Sequence, residues 1–170
     1  MKPRSIVPDP GILRLLGVEI RHNFFPERLL NQLTERILTQ THRKEKFGFT
    51  HGKFPSPIDQ AAELITATFG PERLNVAILK RYVVGEPSEA FKAHRDPEEF
   101  NGRLFFCSLS GQALLKVFSP DMKITTEVLC TPNTVVVAPA NILHRISEPY
   151  KDEGTRCFLF FGHSDLLKSF

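Results

Sequence analysis

His94-Arg95-Asp96, His144 fifty residues after the first histidine, and Arg156 twelve beyond that are the residues whose types and order could do chemistry. Two imidazoles and one carboxylate can occupy one face of an iron(II) ion and leave the opposite positions open for a cosubstrate and oxygen. His94 and Asp96 lie two residues apart, so in extended chain they project to the same side and can reach one metal. That donor set points to an oxygenase.

A His-x-Asp triplet is a common accident in a chain with six histidines, so the downstream residues carry the weight. His144 lies in Asn141-Ile142-Leu143-His144-Arg145-Ile146, where a polar residue of a β-strand faces solvent or a cavity. A lone histidine there more often bonds a loop carbonyl, and the company of His94 and Asp96 tips the reading to a ligand. Arg156 opens the apolar run Cys157-Phe158-Leu159-Phe160-Phe161. An inward guanidinium needs an anionic partner, which a bound carboxylate would provide. The alternative is an edge arginine paired with Glu153 or Glu148, an exposed pair worth little.

The elements that must position these residues read as helices first and strands afterwards. Asn23-Phe24-Phe25-Pro26-Glu27 leads into a helix over Pro26–Thr41, with Leu29, Leu30, Leu33, Ile37 and Leu38 on one stripe. A second helix starts at Ser56-Pro57, with Ser56 expected at the N-cap, Pro57 in the first helical position, and Ile58, Ala61, Ala62, Ile65 and Phe69 inside. Gly70-Pro71 ends it. Seven strand candidates follow: 74–84, 103–109, 113–118, 124–129, 134–138, 142–146 and 155–161, separated by turn residues such as Gly85-Glu86-Pro87 and Ser110-Gly111. Regular short strands of this kind suit a sandwich or jelly roll. The expectation is one α+β domain over residues 1–170, with 1–70 mainly helical support and 71–170 the β core.

The net charge of +3 comes from 22 basic and 19 acidic residues without long single-sign blocks, so charge alone selects no partner. Cys107, Cys130 and Cys157 form no C-x-x-C pair, and the reading is reduced thiols acting as small hydrophobes. No apolar stretch approaches a membrane span or a signal h-region, which predicts a soluble, cytoplasmic protein.

The ordered set His94-x-Asp96, His144 and Arg156 resembles the iron(II)- and 2-oxoglutarate-dependent dioxygenases, whose core is a double-stranded β-helix, or jelly roll. Asn23-Phe24-Phe25-Pro26-Glu27 plus its helix is similar to the opening of the prolyl-hydroxylase-like members. Lys80-Arg81-Tyr82 followed by Gly85 is similar to the strand before the metal motif there and in AlkB-type members. The resemblance implies that His94, Asp96 and His144 hold iron(II), to which 2-oxoglutarate and oxygen bind as cosubstrates. It further implies that Arg156 pairs with the distal carboxylate of 2-oxoglutarate, that Tyr82 assists, and that substrate hydroxylation releases succinate and carbon dioxide.

Two departures bear on the subfamily. AlkB-type enzymes carry a second arginine six residues after the first, where this chain has Gly162. Many prolyl-hydroxylase-like members carry a Gly-Gly-Glu-Leu-like segment, where this chain has Ser110-Gly111-Gln112-Ala113-Leu114. The expected activity is hydroxylation of an aliphatic carbon in a protein side chain, peptide or small amino-acid-like molecule. An AlkB-like demethylase or nucleobase hydroxylase is the alternative within the enzymes, and a non-catalytic cupin-like metal module the alternative outside them. Residues 41–57 alternate Phe47, Phe49 and Phe54 with Arg43, Lys44, Lys46 and Lys53. This is a lid or base-stacking segment on one reading, and a loop whose phenylalanines cover the core on the preferred one. Gly85–Ala93 is a second candidate for a mobile gate. The acidic turn over 97–102 is read as solvated.

Overall fold

A computed structural model describes residues 8–48, 53–71, 73–96, 100–149 and 154–165. The elements in chain order are α1 (Pro10–Leu15), β1 (Glu19–His22), α2 (Glu27–Thr39), β2 (Lys44–Gly48), α3 (Ile58–Phe69), β3 (Val76–Val83), a single 3-10 turn (Glu89–Phe91), β4 (Phe100–Ser110), β5 (Ala113–Phe118), β6 (Thr125–Cys130), β7 (Thr134–Pro139), β8 (Leu143–Ile146) and β9 (Thr155–Ser164). The strands form a six-stranded sheet in the order β1-β7-β4-β9-β3-β2 and a three-stranded sheet in the order β6-β5-β8, every pairing antiparallel. This is the jelly-roll sandwich expected from the strand pattern.

Alternation along the strands builds two cores from one large sheet. On β9, Phe158 and Phe160 join the cluster between the sheets, while Cys157, Leu159 and Phe161 join the cluster under the helices. On β3, Val76, Ile78 and Tyr82 point inward and Ala77 and Leu79 outward in the same way. Because both faces are covered, β9 reads as an unbroken apolar run rather than an alternating one. Leu33 and Ile37 of α2, with Ile58, Ala61 and Ile65 of α3, close the outer face. Each fully buried side chain of this size contributes about 1.5–3 kcal/mol.

The structure departs from the sequence reading at several points. Pro26 caps α2 instead of opening it. Ser56 does not cap α3; Pro57 holds that position, and the Ser56 hydroxyl accepts from Gln60 Nε2 instead. An N-terminal helix, α1, was not expected, although Asp9-Pro10 carries its signal: the Asp9 carboxylate accepts the Gly11 and Ile12 N–H groups. Residues 1–70 supply strands as well as helices, since β1 and β2 form the two edges of the large sheet. β2 lies inside the segment considered as a lid and pairs along β3, with Phe47 and Phe54 packed in the outer core. Phe49 lies outside the described residues, as do 97–99 of the acidic turn after Asp96; Phe100, Asn101 and Gly102 are not turn but the start of β4. Among the described residues no helix is long and apolar enough to cross a membrane.

Candidate metal centre

The loop after β3 turns at Gly85, which has φ of +79°, and descends through the 3-10 turn, where Phe91 packs on the ring of Tyr82 at 5.5 Å. It then delivers His94 to β8. His94 and His144 form an antiparallel bridge, and their rings lie 4.5 Å apart between centroids. Ligand atoms of His94, Asp96 and His144 all fall within 4.8 Å of one another. The structure therefore brings together the three residues singled out as metal ligands.

The ring orientations suit that use. Nδ1 of His94 lies 2.9 Å from the carbonyl oxygen of Lys92, and Nδ1 of His144 lies 3.1 Å from that of Ile142. A carbonyl only accepts, so each Nδ1 carries the proton and each Nε2 is left with its lone pair for a metal. Burial lowers the His144 pKa, with Asp96 opposing and His94 adding to the shift, which favours the neutral, ligating form. Asp96 Oδ2 is buried, has no hydrogen-bond partner, and sits 3.6 Å from His144 Nε2. An ionised carboxylate oxygen kept from water without a donor is costly, and a cation removes the cost. Donor set, tautomers and this unsatisfied oxygen all fit a divalent metal bound on one face.

Behind the triad a narrow cavity of about 30 Å³ runs between the sheets, walled by Tyr82, Phe106, Leu115, Ile146, Phe158 and Phe160. Phe106 also packs edge-on against His144, with ring centroids 5.0 Å apart. Arg156 lies beyond this wall and is fully buried. It pairs in register with Tyr82 across β3 and β9, and its guanidinium sits 5.1 Å from the Tyr82 ring and 5.7 Å from that of Phe158. Its two terminal nitrogens donate to the carbonyls of Gln112 and Ser147. The edge-arginine alternative does not describe this side chain. Burial raises the Tyr82 pKa, with Arg156 opposing, so the phenol keeps its proton and remains a donor.

Two contributors were not read from the sequence. The carbonyls of Lys92 and Ile142 that orient the rings are backbone groups two residues before each histidine, and no side-chain pattern announces them. Lys80 is the other: it lines the same cavity as the triad, and burial lowers its pKa, with Asp96 opposing and Lys44 adding to the shift.

No protein-family model matches the chain, and no curated protein matches it in sequence. Solved structures do match in fold. AviO1 from Streptomyces viridochromogenes Tue57 superposes with a TM-score of 0.62 at 15% identity, covering 97% of this chain and 98% of that one. A Pseudomonas putida prolyl-4-hydroxylase superposes with a TM-score of 0.54 at 14% identity, covering 91% of this chain and 96% of that one. The fold thus extends over nearly the full length of both neighbours.

Proposed function

We propose that the chain is an iron(II)- and 2-oxoglutarate-dependent dioxygenase that hydroxylates an aliphatic carbon of a protein side chain, peptide or small amino-acid-like substrate. The observation that carries this reading is the buried Asp96 oxygen without a donor, set beside two histidines whose tautomers leave Nε2 available. Iron(II) bound there together with 2-oxoglutarate supplies the oxidising chemistry, one oxygen atom of the dioxygen ending in the product and the other in succinate, with carbon dioxide released.

The chain's own residues do the positioning. His94, Asp96 and His144 would hold the metal. Tyr82 and Arg156, paired across β3 and β9, offer a protonated phenol and a fixed positive charge to the distal carboxylate of the cosubstrate. Phe106, Leu115, Phe158 and Phe160 keep water from the space between. At about 30 Å³ that space takes a water or two, so a five-carbon diacid enters only if its walls move apart.

The hydroxylase reading is favoured over the AlkB-like one by position 162. A Cβ on Gly162 would stand 2.9 Å from Phe100 Cδ1 and 3.0 Å from Leu104 Cδ2, so this site has no room for a second arginine. Anaerobic titration of iron(II) and 2-oxoglutarate, followed by the visible charge-transfer band of the chelated 2-oxo acid, tests the proposal. A band that saturates with one 2-oxoglutarate per chain is expected. Its absence from folded, metal-loaded protein would leave the metal-binding module instead.

A further inference from the structure

We propose that the cleft outside the metal cavity holds an anionic group of the substrate, a carboxylate or a phosphate monoester, between Lys80 and Lys44. The inference rests on the dioxygenase reading only in calling that anion part of the substrate. A cleft of about 380 Å³ shares Lys80, Tyr82, Ala90, His94 and Asp96 with the metal cavity and opens outward past Arg43 and Lys44. Whatever lies in it is therefore next to the triad.

The strand register concentrates positive charge at this point. Lys44 of β2 stands directly across from Lys80 of β3, and directly opposed residues of an antiparallel pair project from the same face. Two ammonium groups so placed repel each other. Of the lining carboxylates, Asp96 belongs to the metal site and Glu89 is paired with Lys92 at 3.1 Å; Glu86 bonds Arg43 through Oε1, while its buried Oε2 has no hydrogen-bond partner. Among the described residues no carboxylate lies within ion-pair distance of Lys44 or Lys80. Arg81, the other cation lining the cleft, donates to the Leu38 carbonyl of α2.

A purely structural account covers Lys44 but not Lys80. Lysines on an edge strand keep it from pairing with another chain, and β2 is an edge. Lys80 lies on β3, an internal strand between β2 and β9, and on the inward side with Ile78 and Tyr82. A half-buried cation in a cavity wall, opposed by a second cation and with no carboxylate in direct ion-pair contact, is an arrangement that a bound anion relieves. An anion between Lys80 and Lys44 would also anchor the rest of the molecule against the open face of the metal.

The test uses the full chain loaded with Mn(II) and saturated with 2-oxoglutarate. Two probes are titrated, inorganic phosphate observed by ³¹P relaxation and acetate observed by ¹³C relaxation. Paramagnetic relaxation of at least one probe is expected, with the stronger response separating phosphate from carboxylate. In the double variant Lys44→Gln/Lys80→Gln, with Mn(II) and 2-oxoglutarate titrated to saturation again, that binding should weaken about tenfold or more, the loss of one or two charge-assisted bonds. Equal relaxation in wild type and double variant would overturn the proposal, because the anion would then sit on the metal itself. Loss of 2-oxoglutarate affinity in Lys80→Gln would overturn it too, by making Lys80 a cosubstrate residue. An iron(II) protein that shows no charge-transfer band yet keeps the lysine-dependent relaxation would sink the dioxygenase reading and retain the anion site.

Discussion

His94 and His144 each donate the backbone N–H to the other's carbonyl oxygen, both at 2.9 Å. Residues far apart in the chain are thereby fixed as a hydrogen-bonded strand pair, and the imidazoles leave the same bridge side by side. The spacing of the two histidine ligands is thus set by the main chain.

Removing Asp96 should therefore separate metal binding from folding. Asp96→Ala is expected to weaken divalent-metal affinity by about 100-fold or more while leaving the melting temperature unchanged or raised, since a buried carboxylate lacking a donor is lost. Calorimetric metal titration beside thermal melts checks both halves.

His144→Ala behaves differently. From sequence it promises to remove a metal bond without opening a cavity, yet His144 is buried against Phe106. The variant should lose the metal and also about 2 kcal/mol of stability in denaturant titrations of metal-free protein. His163, bonded to Asp165 at 2.8 Å, is the control, and His163→Ala should keep full metal affinity.

Arg156 should be tested by a substitution that keeps its charge. Arg156→Ala opens a buried cavity and takes a donor from the Gln112 and Ser147 carbonyls, at a cost of about 1–3 kcal/mol for each carbonyl left unsatisfied. Arg156→Lys keeps a cation but loses the fork, and should fold while binding 2-oxoglutarate more than about tenfold more weakly at unchanged metal affinity. A charge-transfer titration unaltered in Arg156→Lys would remove Arg156 from the cosubstrate site.

Gly111 offers a more indirect probe. Its φ is +70°, and an added Cβ would stand 3.1 Å from Arg156 Cγ. Gly85, with φ of +79°, faces open space. Both alanine variants pay the left-handed backbone cost of about 1–2 kcal/mol, but only Gly111→Ala should also weaken 2-oxoglutarate binding. Parallel denaturation and cosubstrate titrations of the two variants make the comparison.

The three thiols should be silent in the native state. Cys107, Cys130 and Cys157 are buried, and burial pushes the Cys130 thiol up to about 12, with Cys107 and Cys157 also raised. Raised values keep all three protonated through neutral and mildly alkaline pH. Alkylation at pH 8 followed by mass spectrometry should modify them only when the chain is unfolded.

Much of this was legible because the strands and ligands carry local signals. The apolar runs of β3, β4, β7 and β9 and the turn residues between them revealed the sheet, and His94, Asp96 and His144 announced themselves by type and order. β2 was missed because Lys44-Glu45-Lys46-Phe47-Gly48 has no apolar alternation; it is a strand by virtue of its pairing to β3, which only tertiary structure supplies. Lys80 was read only as part of the strand before the metal motif, because its place beside the triad comes from residues that no single window of sequence contains.

β9 is the last strand among the described residues and yet lies inside the large sheet, bonded to β4 on one side and β3 on the other. During synthesis neither neighbour can complete its hydrogen bonding until residues 155–164 have left the ribosome, so until then the growing chain carries two unsatisfied strand edges. Such edges invite association with other chains, and closure across long sequence separations is slow. Yield of folded protein should therefore respond to expression temperature and to chaperones that shield strand edges.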